Sequence, residues 1–276
     1  MIGKQLRKKV KSLWGNEPQI SPAGRGVTVF SDDIFITSYP KSGNTWVRFL
    51  VSNLLYHKEG YTDFYNFSRR VPSIYTETND RLKTLPRPRL LKSHEYFDPR
   101  YPKVIYVVRD ARSVIVSYYY FQRKLQQIDE TMTLSEFAER FINGKLNMYG
   151  TWRENVSSWV SVRGDERKRF CLIRYEDLKT NGKDTLKKIS DFVGIEYSEK
   201  LIETTLEMSS FNHMRKLEKQ AYEDNNNSGF GHYEKKYYPF VRSGKSQEYK
   251  EALSQSTLDL IKFDCEKLML SLGYRW

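Results

Sequence analysis

Between residues 30 and 200, short and uniformly apolar runs alternate with longer stretches in which apolar residues return every three or four positions. The first pattern reads as buried strand, the second as amphipathic helix. Strand-like runs fall at 34–37, 90–92, 104–108 (VIYVV) and 170–173. The VIYVV run is apolar on both faces, as a strand inside a parallel sheet must be. Helical spacing follows: Trp46, Phe49, Leu50, Asn53 and Leu54, then 114–121, 133–143 and 147–162. Leu186, Ile189 and Val193 mark a further helix that Gly194 can terminate. Leu258, Ile261, Cys265, Leu268 and Leu272 form a last stripe, closed by Gly273. This alternation predicts an α/β fold, a single domain whose central, mainly parallel sheet is flanked by helices. Two polar stretches interrupt it. Residues 57–89 are polar and end in Pro86, Arg87 and Pro88, three residues that read as turn or extended chain. Residues 219–238, with three consecutive Asn and two Gly, read as a mobile loop or lid. Strong elements flank both stretches closely, so neither is a domain linker. The expected division is a basic extension over 1–26 and one domain over 27–276.

Composition narrows the chemistry. The 276 residues can bury a core without staples, and 20 Tyr, 15 Phe and 5 Trp exclude a mostly disordered chain. Forty-six Lys and Arg against 34 Asp and Glu leave a net charge of +12. A surface this basic favours an anionic partner: nucleic acid, a lipid headgroup or a phosphorylated small molecule. Cys171 and Cys265 are the only cysteines, too few for a disulfide framework or a four-thiolate zinc site. The expectation is two reduced, buried thiols, a cytoplasmic protein and no metal. No apolar run is long enough to span a bilayer, so no stable membrane insertion is expected. Lys4, Arg7, Lys8, Lys9 and Lys11 are followed by no apolar stretch of signal-peptide type. Ile2, Leu6, Val10 and Leu13 fit one face of a short basic helix, for which a solvated terminus is expected over membrane contact.

The turn after the first strand carries Lys41, Ser42, Gly43, Asn44 and Thr45. Gly43 permits backbone angles that other residues resist. The following amides open a helix, where unpaired N–H groups and the helix dipole favour an anion. Lys41 adds a full charge, and Ser42 and Thr45 add hydroxyl donors. Taken alone this is a phosphate cradle or a plain strand-to-helix turn. It lacks the Lys-Ser/Thr pair after the last Gly that nucleoside triphosphatases use.

The whole string TSYPKSGNTW at 37–46 resembles the 5′-phosphosulfate-binding loop of the sulfotransferase family, written TYPKSGTTW. Ser38 and Asn44 are the departures, both small and polar, and able to donate to an anion. The resemblance implies a P-loop-kinase-like sulfotransferase fold. It also implies the donor 3′-phosphoadenosine 5′-phosphosulfate, held by Lys41, Ser42, Gly43, Asn44, Thr45 and Trp46. Further motifs follow in the family's order. Arg109 after VIYVV, and Ser117 on the next helix, match the pair that binds the 3′-phosphate. Tyr175 in RYEDL would contact the adenosine. The MSSFNHM segment at 208–214 resembles the family's TSFxxM, which implicates Ser209, Ser210, Phe211 and Met214. Phe211 and Met214, three apart on a helix, would share a face and hold the adenine. Phe240, Val241, Arg242, Ser243 and Gly244 resemble RKGxxGDW, with Ser243, Gln247, Glu248 and Tyr249 as departures. Losing the family's Lys at Ser243 removes one cation, for which Lys245 is the available substitute. The family's dimer motif KxxxTVxxxE is degraded to Lys250, Ser254, Gln255 and Asp259, so that dimer is not expected.

Lys92, Ser93 and His94 resemble the family's K[ST]H. Of the four histidines, only His94 lies in such a motif, and histidine suits general-base work near neutral pH. The implied reaction is in-line sulfuryl transfer to a hydroxyl or amine. His94 is the base, Lys41 offsets charge on the leaving group, Lys92 holds the sulfuryl oxygens, and Ser117 restrains Lys41. The expected partner is a small-molecule acceptor, bound near Tyr39, His94, 118–121 and the 219–240 stretch. Aromatics there fit a ring-containing acceptor, whereas Glu77, Asp80, Glu223 and Asp224 fit a cationic one. The alternatives are a nucleotide-dependent kinase and a basic nucleic-acid-binding protein. The kinase needs a loop Lys followed by a magnesium-binding Ser/Thr, whereas Gly43 is followed by Asn44, and a strand-end Asp, for which Asp110 is the one obvious candidate. The basic residues are spread along the chain and form no stripe, so nucleic acid is not the expected partner.

Overall fold

The computed structural model describes residues 26–162, 169–224, 241, 244 and 247–276. Its centre is a sheet of four strands, β1 (Ile34–Ser38), β2 (Leu90–Ser93), β3 (Lys103–Val108) and β4 (Phe170–Arg174). They lie in the order β2-β1-β3-β4, and every pair is parallel. Ile36 stands opposite Lys92 on one side and Ile105 on the other. All four strands fall where the apolar runs predicted them, and the α/β architecture is the expected one.

Alternation along each strand divides the core into two layers. Ile34, Ile36, Ile105, Val107, Cys171 and Ile173 face one layer. There they meet α1 (Asn44–Leu55), α8 (Gly182–Val193) and α9 (Glu199–Met208), which supply Val47, Leu50, Leu54, Leu186, Ile189 and Ile202. Phe35, Val104, Tyr106, Val108 and Phe170 face the other. That layer is closed by α4 (Ala111–Lys124), α5 (Leu134–Ile142), α6 (Trp152–Val160) and α12 (Gln255–Ser271). The remaining helices are α2 (Phe67–Arg70), α3 (Asn79–Lys83), α7 (Tyr175–Thr180), α10 (Phe211–Glu223) and α11 (Tyr249–Ala252).

Two expectations are corrected, and one open stretch is filled in. The helix predicted over 147–162 starts only at Trp152, because Gly150 takes a left-handed φ of 66° and Thr151 forms a capping box with Glu154. The polar stretch 57–89, for which the sequence specified no element before Pro86, is partly helical. It carries α2 and α3, and Phe64 and Phe67 pack against Phe49 in a small aromatic cluster. The start of the expected 219–238 loop is helical, as the end of α10. Residues 225–240 and the expected extension up to residue 25 lie outside the described residues.

At the N-terminal edge of the sheet, Arg89 and Asp33 form an ion pair with no side-chain exposure. The guanidinium donates to both carboxylate oxygens, at 2.7 and 2.5 Å, and to the Leu82 and Thr28 carbonyls. Every candidate site residue on a strand or just after one lies at the opposite, C-terminal edge, where open α/β sheets bind ligands.

Candidate functional site

The turn between β1 and α1 holds two backbone features that aim it. Lys41 adopts φ 68°, a strained angle for a residue with a side chain. Gly43 adopts φ 101° as the N-cap of α1 and supplies no side-chain cap. The first amides of α1 are therefore left to an external acceptor, and no acidic residue occupies its first turn. Gly43 also lies under the Tyr175 ring, where an added Cβ would come within 2.5 Å of ring carbon. The Ser42 hydroxyl is buried in the turn with no hydrogen-bond partner among the described residues. Thr45 is half-buried on the first turn of α1. Asn44 departs from the expected role. Its side-chain amide donates to the Ile36 carbonyl (3.0 Å) and the Ser38 hydroxyl (3.3 Å), so it pins the turn to β1 and does not face an anion.

Arg109, just after β3, joins this turn to Tyr175. One guanidinium nitrogen lies 3.5 Å from the Lys41 carbonyl, and the group stacks 4.3 Å from the Tyr175 ring centre. Tyr175 meets Trp46 edge-on at 5.4 Å, and the Trp46 indole donates to the Ser209 carbonyl at 2.8 Å. The Lys41 ammonium rests 4.0 Å from the centre of the Phe121 ring. Phe121 is one turn beyond the half-buried Ser117 on the same face of α4, so Lys41 and Ser117 share that face.

The 208–214 segment is more structural than the resemblance implies. The Ser209 hydroxyl is buried and accepts from Asn53, and Ser210 caps α10 by accepting the His213 N–H. Met214 is drawn into the Phe49, Phe64 and Phe67 cluster, while Phe211 stays exposed. The two therefore do not form one adenine-holding face. Phe211 packs instead on Gly244, leaving no room for a Cβ there. Val241 is tied to α10 through Glu218 and Arg215, and the Gly244 carbonyl accepts from Lys179. Phe240, Arg242, Ser243 and Lys245 lie outside the described residues.

Lys92 and His94 close β2. The His94 ring nitrogen Nδ1 is 2.6 Å from the Ser38 carbonyl. A carbonyl only accepts, so Nδ1 carries the proton and Nε2 presents a lone pair. Burial, then the charges of Lys92, Arg48 and Lys41, hold the imidazole well below its ordinary pKa, and it is neutral at pH 7. Lys92 is half-buried, and burial together with Arg48 pushes its ammonium down to about 7. The His94 backbone is held from two sides. Its N–H donates to the Tyr75 hydroxyl at 2.6 Å, and its carbonyl accepts from Asn155 at 3.0 Å.

Several residues at this edge carried no sequence signal. Tyr75 stacks parallel to the His94 ring at 6.0 Å, and Tyr149 tilts against it at 5.3 Å. Arg48 is buried on α1, donating to the Val71 carbonyl and stacked on Phe67 at 4.0 Å; burial lowers it to about 9. Only the crossover connections bring 48, 75, 94 and 149 together. Tyr39 and Tyr118, expected near the acceptor, belong to the hydrophobic core. Both are fully buried, and Tyr39 is held by Asn147 at 2.9 Å. None of the acidic residues singled out stands against His94. Asp80 pairs with Lys83, Glu223 with Lys219, and Asp224 accepts from Tyr65. Glu77 lines an outer cleft of about 230 Å³ with Arg69 and Arg81.

Among the described residues, no group of His, Cys, Asp or Glu could hold a metal ion, and no helix is long and apolar enough to cross a membrane. A family model described as "Sulfotransferase domain" matches residues 31–273. Sulfotransferase 1 family member D1 of Mus musculus is 31% identical over 253 residues, covering 86% of this chain and 83% of that protein. Sulfotransferase 1A1 of Mus musculus is 29% identical, covering 88% and 86%. Among solved structures, mouse sulfotransferase SULT7A1 complexed with PAP superimposes with a TM-score of 0.69 at 23% identity, covering 88% of this chain and 85% of that one. Retinol dehydratase in complex with androsterone and PAP gives 0.74 at 18% identity, covering 98% and 88%.

Proposed function

Because the chain belongs to the sulfotransferase family, we propose that it moves a sulfuryl group from 3′-phosphoadenosine 5′-phosphosulfate to a hydroxyl or amine of a small molecule, with His94 as general base. The observation that carries this reading is the tautomer of His94. Its Nδ1–H is spent on Ser38, and its basic Nε2 stands beside two lysines at the sheet edge. The residues present fit the donor. The uncapped start of α1 and the orphaned Ser42 hydroxyl make a cradle for a phosphate, and Gly43 lets the Tyr175 ring pack directly against it. When bound, the donor supplies an activated sulfur and a nucleotide leaving group.

The chain's own residues do the rest. The amides of 43–46 and the Ser42 hydroxyl hold the 5′-phosphate. Arg109 and Ser117, with Arg242, hold the 3′-phosphate, and Tyr175 and Phe211 flank the adenosine. His94 Nε2 takes the proton of the attacking O–H or N–H as the new bond to sulfur forms. Lys41 neutralises the oxygen that departs with the nucleotide, and Lys92 faces the sulfuryl oxygens. This is catalysis by positioning and charge stabilisation. The Tyr75 and Tyr149 rings beside His94 favour a planar or ring-containing acceptor over a cationic one. The relatives solved with PAP, and the one holding androsterone, support the same donor and a small-molecule acceptor. The two free, buried thiols fit a reducing, cytoplasmic setting. An acceptor screen with labelled donor, read by mass spectrometry, tests the proposal: a phenol or ring alcohol gains one sulfuryl group. Transfer to no hydroxyl or amine would overturn it.

A further inference from the structure

Behind the nucleotide side of the site lies a second, buried set of polar contacts that the reaction does not touch. Asp110 and Arg112 pair at 2.6 Å with little exposure, just after Arg109. The Arg112 guanidinium also donates to the Arg275 carbonyl at 2.8 Å, and packs 4.4 Å from the Tyr249 ring and 4.5 Å from that of Trp276. The Tyr274 hydroxyl donates to one oxygen of Glu176 at 2.8 Å, and the other oxygen accepts the Asp110 N–H at 3.3 Å. Arg174 stacks on Tyr274 at 4.5 Å, and Gly273 leaves it room.

The order of residues gives this network its meaning. Asp110 follows Arg109, and Glu176 follows Tyr175. The Glu176 carboxylate thus ties together the two backbones that carry the stacked Arg109 and Tyr175 side chains. Tyr249, at the start of α11, packs on the same Arg112 guanidinium. Tyr175 has no slack, because it already touches Gly43. A displacement of Glu176 or Arg112 is therefore passed to Arg109 and not absorbed.

We propose that Arg112, Glu176, Tyr274 and Trp276 form a positioning brace that sets Arg109 and Tyr175 at the 3′-phosphate end of the donor site. This rests on the donor assigned above. None of the four need touch the nucleotide, so they are positioning residues. A brace of this kind makes the 3′-phosphate worth more than its charge alone, because the guanidinium is held before the ligand arrives.

The test compares two nucleotides by calorimetry on the full chain: adenosine 3′,5′-bisphosphate, and adenosine 5′-phosphate, which lacks the 3′ group. The variants are Tyr274→Phe, which deletes one hydroxyl, and Arg112→Lys, which keeps the charge and loses the fork. Melting curves establish that each is folded. Each variant should weaken the bisphosphate by roughly threefold to tenfold, as loss of a hydrogen bond to a charged group does. Affinity for the monophosphate should stay unchanged. Equal weakening of both nucleotides marks a general structural role and overturns the brace, as does weakening of neither. If the unaltered protein fails to prefer the bisphosphate, the donor assignment itself falls, and the brace with it.

Discussion

At the N-terminal edge of the sheet, Arg89 and Asp33 bury opposite charges against each other, and the remaining guanidinium donors find carbonyls. At the C-terminal edge, Arg48 and Lys92 are buried or half-buried, and no carboxylate among the described residues offsets the burial of either. His94 between them is kept neutral by its own burial and then by the same positive field. Buried charge is costly unless paired, so the first edge is a finished structure and the second is an unfinished one. At the second edge Lys92, pushed down to about 7, sheds its proton readily, and an entering anion would complete the edge. The difference separates residues that hold the fold from residues that wait for a substrate, without reference to any relative.

The comparison breaks first at His94. Replacing it by Gln should lower turnover by ~10²–10⁴, the worth of a positioned base, while bisphosphate binding measured by calorimetry persists. The wild-type rate should have its acid limb below pH 6.5, since the folded imidazole titrates under that value. A limb at or above 6.5 would remove the depressed histidine from the account.

Arg89→Met should act in the opposite way. It strands a buried Asp33 and should cost ~3–5 kcal/mol in urea unfolding. Activity per folded molecule should be unchanged. Lys92→Met at the other edge should leave stability level or raised, yet lose turnover. Similar stability losses for both would erase the contrast.

Gly43→Ala is a smaller probe of the cradle. Both the φ of 101° and the contact under Tyr175 resist it, at a cost on the order of 1–3 kcal/mol. Nucleotide affinity should fall further than stability does.

The subtlest effect is a proton. With its pKa lowered from 10.5 to about 7, Lys92 is charged in the unfolded chain and largely neutral in the folded one between those values. Its contribution to stability therefore improves as pH rises through that window, and an entering anion should pull the proton back. Calorimetry near pH 8 in buffers of different ionisation heat should show net proton uptake on bisphosphate binding, absent in Lys92→Met.

The sheet was legible because a strand buried on both faces must be apolar throughout, which no amphipathic helix imitates over five residues. The turn after β1 stood out only as the whole string at 37–46, through its resemblance to an anion-binding loop; Lys41, Ser42 and Gly43 by themselves fit a plain strand-to-helix turn as well. What escaped was whatever depended on distant segments meeting. Tyr75 and Tyr149 belong to two separate connections, and nothing local distinguishes them from the other tyrosines. Arg48 reads as a surface residue on a helix until Phe67 and Val71 cover it. Asn44 looked like an anion donor, but the open end of β1 offered its amide the nearer acceptors. Met214 and Phe211 share helical spacing, yet the aromatic cluster under α10 has room for only one.

The most direct test of the unfinished edge is thermal unfolding of the full chain with adenosine 3′,5′-bisphosphate against adenosine alone. The account predicts that the bisphosphate raises the melting temperature, that adenosine does not, and that the gain disappears in Lys41→Met and Arg109→Met. Equal stabilisation by both ligands, or a gain that survives both substitutions, would contradict it.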